Sequence, residues 1–147
     1  MRHSIHKETA MSKESTQAAL GKFAEAVNTG KFELIDEVVA PACVDHDPAE
    51  GQVPGPDGYR FFFSGMRTAF PDLNVAAETV VQDGDSLAFA YTLTGTHNGP
   101  LGKIPPTGKK VKIRGVQISK FKDGKMVERW GSSDELTLLK QIGVIPA

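Results

Sequence analysis

At 147 residues the chain reads as one domain with enough length for a real core, and 17 Lys and Arg against 18 Asp and Glu leave no basic face for nucleic acid or an anionic membrane. A single cysteine, Cys43, excludes an internal disulfide, and no Cys/His spacing resembles a zinc site. No apolar run approaches the roughly 18 residues that a membrane helix needs, and no signal-peptide hydrophobic region opens the chain, which points to the cytoplasm.

Residues 1–11, with His3 and His6, are polar and aperiodic and read as a disordered leader ahead of a single domain over 12–147. Ser12 can cap a helix from about Lys13 to Asn28, whose Leu20, Phe23, Ala24 and Val27 make one stripe at helical spacing. Gly30 ends it. A second short helix is expected over Lys31–Val39, and Pro41 blocks its continuation. Ala42–Asp45 suggests a brief strand leading into His46-Asp47-Pro48, followed by a Gly/Pro loop over 49–58. A third helix, about Asp57 to Phe70, carries the aromatic stripe Tyr59, Phe62, Phe63, Met66 and Phe70.

After Leu73 the pattern turns to β. Leu73–Gln82 alternates with Val75, Ala77 and Val81 on one face, and Asp83-Gly84 signals a tight hairpin into Asp85–Thr96. In Val111–Phe121 the apolar parity flips from Val111/Ile113 to Val116/Ile118 across Gly115, which predicts a β-bulge there. Asp123-Gly124 turns the chain into Lys125–Ser132, and Ser132 with Glu135 reads as a capping box for a short last helix. Between the second and third of these strands, His97 to Lys110 is long for a hairpin loop. Its three prolines suggest a stiff flap over a sheet edge or pocket mouth. The order predicts an α+β fold: a curved antiparallel sheet forming a cone-shaped barrel, closed by three N-terminal helices, with a short C-terminal helix and an apolar pocket inside.

Several segments then line up in a recognisable series. They are residues 41–48, Phe70-Pro71-Asp72-Leu73, Gly95-Thr96-His97-Asn98-Gly99, Pro105-Pro106-Thr107-Gly108, Asp123-Gly124-Lys125, Glu128-Arg129-Trp130-Gly131 and Leu139-Lys140-Gln141-Ile142-Gly143. Over about residues 13–143 the chain resembles the SnoaL-like polyketide cyclases, or ester cyclases. The resemblance implies a cystatin-like α+β barrel of the nuclear transport factor type and a homodimer packed through the outer sheet face. It also implies cofactor-free aldol closure of a polyketide ester, with proton transfer by a His on the 111–121 strand and an Asp ending the 125–132 strand. At those two positions this sequence has Gln117 and Gly131, neither of which does acid–base chemistry. Ketosteroid isomerase offers a second comparison. Its catalytic aspartate precedes a proline after a short strand, much as Asp47-Pro48 does here, but its oxyanion-hole tyrosine would fall at Phe23.

Two ionisable side chains remain as an expected proton-handling pair, Asp134 and His46, converging on the cone mouth. An apolar setting would raise the Asp134 pKa, whereas a place in the first turn of the last helix would lower it. His97 begins the flap and either faces the pocket or braces the loop. Trp130, Phe62, Phe63 and Tyr59 form either a ligand-stacking wall or plain core. Gln117, Asp47 and Arg114 are further polar candidates, with Arg114 equally suited to a dimer face. No phosphate loop, nucleophile elbow or metal motif is present, and no cofactor is expected. The expected function is acid–base chemistry, of cyclase, isomerase or hydrolase type, on a small hydrophobic carbonyl or ester compound. The alternative is a non-catalytic carrier or sensor of such a molecule, with the chemistry lost at Gln117 and Gly131.

Overall fold

A computed structural model describes residues 2–147, with side chains from Lys13 onward. The elements run α1 (Arg2–Thr29), α2 (Glu33–Val38), β1 (Val39–Asp45), α3 (Pro56–Ala69), β2 (Asn74–Asp83), β3 (Ser86–Thr96), β4 (Lys110–Lys122), β5 (Lys125–Ser133) and α4 (Glu135–Gln141). Helix α1 thus starts well before the expected Ser12 cap. The leader expected over residues 1–11 lies outside the described side chains. No helix among the described residues is long and apolar enough to cross a membrane.

The five strands form one mixed sheet in the order β1-β5-β4-β3-β2. It is open, not the closed barrel expected from the sequence: β1 and β2 are both edges, and no ladder joins them. Strand β1 runs parallel to β5, so Asp45 lies beside Arg129. It begins at Val39, which the sequence reading placed in a helix. Pro41 is tolerated because β1 is an edge, where a missing N–H leaves no partner strand unpaired. The helices pack on one face of the sheet around Ile35, Val38, Val39, Phe70 and Leu87, each at most 3% exposed.

Strand β4 decides how the sheet presents its two faces. Its register with β3 runs unbroken from Ser86↔Lys120 to Thr96↔Lys110, and burial alternates strictly along it. The bulge expected at Gly115 is therefore absent. The backbone keeps its phase and the residue chemistry changes faces instead: Gly115, Gln117 and Ser119 point inward while Val116 and Ile118 stand 54% and 45% exposed outside. Glycine is required at 115 because a Cβ there would stand 2.8 Å from Tyr91 Cε2 and closer still to its hydroxyl. The register shifts fall elsewhere, between Ala77 and Thr79 in β2, at Lys120/Phe121 between β4 and β5, and between Val39 and Val44 where β1 meets β5. The first of these exchanges the faces of β2, so that Val80 follows Val75 and Ala77 beside the inward residues of β3, and Val81 joins the outer face.

The long connection between β3 and β4 is held at its neck. His97 is fully buried against Phe70, its amide donates to Lys109 O at 2.8 Å, and Gly108 N returns a hydrogen bond to His97 O. Asn98 N and Gly99 N both donate to Ala69 O at the end of α3. A Leu101–Ile104 bridge closes the tip.

Candidate functional site

Between the helices and the inner sheet face lies a cavity of ≈ 330 Å³. Its walls are apolar: Phe23 and Val27 from α1, Phe63 and Met66 from α3, Leu93 from β3, and Leu139 from α4. Leu101 reaches it from the long loop, so that segment does serve as part of the wall. Phe23 stands edge-on to both Tyr59 and Phe63, with ring centroids 5.7 Å apart in each pair, which gives the wall defined geometry.

One end of the cavity is polar, formed by Gln117, Arg129, Ser133 and Glu135. There it meets a second hollow of ≈ 290 Å³ that adds Asp45, Asp47, Gln52, Tyr59 and Gly131. Phe62, Phe63, Arg129, Ser133 and Glu135 line both, so the second space is the mouth of the first.

Arg129 organises this end. It shares the inner face of β5 with Gly131 and Ser133, because alternate residues of a strand point the same way. Its Nη1 donates to both Asp45 oxygens at 3.1 Å, and its Nε donates to Gln117 Oε1 at 2.9 Å. Gln117 in turn donates to Ser119 Oγ at 3.0 Å. Asp45, its side chain 5% exposed, also accepts from Tyr59 OH, Gln52 Nε2 and Asp47 N. A carboxylate so fully bonded holds its neighbours in place.

Burial pushes the Tyr59 phenol far above its ordinary range, with the Asp45 charge adding to the shift, so Tyr59 stays a donor. Burial likewise raises the Cys43 thiol to about 11, against a smaller opposing effect of its hydrogen bond with Tyr59. Tyr91 is raised by burial too, partly offset by Arg129 and by a hydrogen bond with Ser133. The Arg129–Asp45 pair is thus bordered by two phenols and a thiol that keep their protons.

The structure gathers five of the residues expected from the sequence. Gln117, Phe62 and Phe63 line the cavity, and Tyr59 and Asp47 line its mouth. Gln117 and Gly131 are directly paired across β4 and β5. The other five lie apart. Asp134, not Ser132, caps α4: its carboxylate accepts from Thr137 N at 3.1 Å and Thr137 Oγ1 at 2.6 Å. Ser132 remains within β5, so the expected capping box does not form. The Thr137 hydroxyl and then its amide lower the Asp134 pKa, the direction of a helix cap.

His46 lies on the outer side. It stacks on Trp130 at 4.4 Å between centroids, and its Nε2 is 3.0 Å from Glu128 Oε2. Trp130 is there because it pairs with the outward Ile118. His97 braces the loop neck, its Nδ1 accepting from Thr107 N at 3.2 Å. Arg114 also faces outward and pairs with Glu78 at 2.7 Å.

Sequence reasoning missed Arg129, Asp45, Ser133, Glu135 and Tyr91. A signal existed for Arg129 and Ser133, which have the strand parity of Gly131. None existed for Asp45, whose place depends on the parallel β1–β5 pairing.

The family model described as SnoaL-like polyketide cyclase matches residues 17–142. The nogalonic acid methyl ester cyclase of Streptomyces nogalater is 27% identical over 120 residues, covering 80% of this chain and 90% of that one. The aklanonic acid methyl ester cyclase DnrD of Streptomyces peucetius is 26% identical over 136 residues, covering 88% and 92%. Among solved structures, TsrD from Streptomyces laurentii superposes with a TM-score of 0.82 at 25% identity, covering 90% of this chain and 97% of that one.

Proposed function

Because the chain belongs to the SnoaL-like polyketide cyclase family, we propose that its cavity takes a small hydrophobic carbonyl or ester compound and carries out cofactor-independent acid–base chemistry on it, of cyclase, isomerase or hydrolase type. One observation carries this reading: an apolar cavity of ≈ 330 Å³ ends on Arg129 and Gln117 and opens past Asp47 and Glu135. Apolar walls supply affinity for a ring system, and a few convergent polar groups orient its oxygen. The proton-handling pair expected from the sequence, Asp134 and His46, is engaged elsewhere, so this reading moves that work to the mouth. The test is turnover of aklanonic and nogalonic acid methyl esters, the compounds in the names of the relatives. Conversion by the wild type that disappears in Ala24→Phe, which fills the cavity, supports the reading. Conversion that survives the filled cavity refutes it.

A second reading, a non-catalytic carrier or sensor, draws on Gln117 and Gly131, which leave no ionisable group where the resemblance places two. Tight binding of the same esters with no conversion would favour it.

The outer sheet face supports a homodimer. Val81, Ala88, Ile118 and Trp130 are consecutive cross-strand partners and make one apolar row across β2, β3, β4 and β5. Val81 and Ile118 are 64% and 45% exposed in the single chain.

A further inference from the structure

The position that lacks its carboxylate is not empty of charge. Gly131 N donates to Asp47 Oδ2 at 2.9 Å, so the loop after β1 delivers a carboxylate onto the backbone of residue 131 itself. Asp47 Oδ1 accepts no protein hydrogen bond among the described residues, and Asp47 lines the mouth. Above the same glycine lies Arg129. A Cβ on Gly131 would stand 2.7 Å from Arg129 Cζ and closer still to Nη2, so the guanidinium fills the space that a side chain at 131 would occupy. Arg129 Nε and Nη1 are used by Gln117 and Asp45, whereas Nη2 donates to no protein atom among the described residues. With its side chain 18% exposed, Arg129 presents this remaining donor edge at the junction of cavity and mouth. Asp45 cannot share the task of Asp47, since Arg129, Tyr59, Gln52 and the Asp47 amide already occupy its oxygens.

We propose that Asp47 is the general base of the site, replacing from the β1–α3 loop the carboxylate that Gly131 lacks. Arg129 Nη2 is the donor that takes up charge on the substrate's carbonyl oxygen, and the substrate class is a hydrophobic ketone or ester with a hydrogen on the carbon next to its carbonyl. This rests on the cavity reading above.

In the step, Asp47 Oδ1 takes that proton. The C–H electron pair becomes the C=C bond of an enolate, and the carbonyl π pair moves onto oxygen, where Arg129 Nη2–H holds it. The enolate carbon then attacks a second carbonyl of the same molecule and Asp47 returns its proton to the new alkoxide, or the enolate regains the proton at carbon. No electrons leave or enter the system. Glycine at 131 is what allows this pairing, because any larger residue would push the guanidinium away from the amide that holds Asp47.

The test uses 2-tetralone as ketone and 2-naphthol as a non-reacting mimic of its enolate. Exchange of the α-hydrogens of 2-tetralone in D2O is followed by NMR, and 2-naphthol binding by fluorescence. Wild type should accelerate exchange. Asp47→Asn, whose amide oxygen can still accept from Gly131 N, should bind 2-naphthol normally yet lose exchange by about 100-fold or more, the usual contribution of a positioned base. Asp47→Glu should recover part of it, and Arg129→Lys should weaken both binding and exchange. Exchange that survives Asp47→Asn, or is lost only in Glu135→Gln, overturns the assignment while leaving the cavity reading intact. Binding without exchange by wild type overturns it in favour of a carrier. Failure of both compounds to bind overturns the cavity reading itself, and the assignment with it.

Discussion

Arg129→Met tests whether the polar end is held together as described. The substitution keeps most of the side-chain length but leaves the Asp45 carboxylate, 5% exposed, without its counter-charge. Removing one partner of a buried ion pair costs about 3–5 kcal/mol, because the remaining charge is stranded out of water. Asp45 keeps its hydrogen bonds from Tyr59, Gln52 and the Asp47 amide, which places the loss at the low end, about 3 kcal/mol. For a chain of this size that is a fall in Tm of about 6–12 °C. Urea unfolding followed by far-UV circular dichroism, at one fixed protein concentration to keep any association constant, measures it directly. In Arg129→Met/Asp45→Asn the stranded charge is gone, and roughly half of the loss should return. A single variant within about 0.5 kcal/mol of wild type, at an unchanged m-value, would refute the view that this pair anchors the site.

Three further outcomes follow from other parts of the molecule. Gly115→Ala forces a methyl group into the Tyr91 ring, and overpacking of this kind should cost about 1–3 kcal/mol in the same urea assay. The Cys43 thiol has its folded pKa raised to about 11 from 9.0, so the folded state prefers the neutral form. Stability should be unaffected below pH 9 and fall as pH rises from 9 towards 11, while native Cys43 stays unreactive to a thiol reagent at pH 8; Cys43→Ala should flatten part of that alkaline decline in Tm. Ile118→Glu places a charge in the apolar outer row and should convert a dimer to a folded monomer in analytical ultracentrifugation, with an unchanged far-UV spectrum.

The helices and hairpins of this chain were legible in local pattern. The Phe23 and Val27 stripe of α1, the aromatic stripe of α3 and the Asp123-Gly124 turn depend on neighbours within a few residues, and each falls where that pattern places it. The first hairpin turns one residue later than expected, at Gly84-Asp85, because Asp83 still pairs with Ser86. Part of the cavity wall was legible for the same reason: Phe63 and Met66, three residues apart, share a helix face set by 3.6 residues per turn.

The polar site was not. Parity along β4 was misread because apolar residues were assumed to mark the inner face throughout, whereas this strand turns its glycine, glutamine and serine inward at the cavity and its Val116 and Ile118 outward. Asp134 is itself the cap of α4, where the sequence pointed to Ser132, because Thr137 lies one turn on and takes both carboxylate oxygens. Local sequence thus settled the elements and the family. Only the parallel pairing of β1 with β5, a contact across more than eighty residues, brought Asp45 to Arg129 and Asp47 to Gly131. No periodicity encodes such a contact, because it is decided by which edge of the sheet the chain docks against after α2.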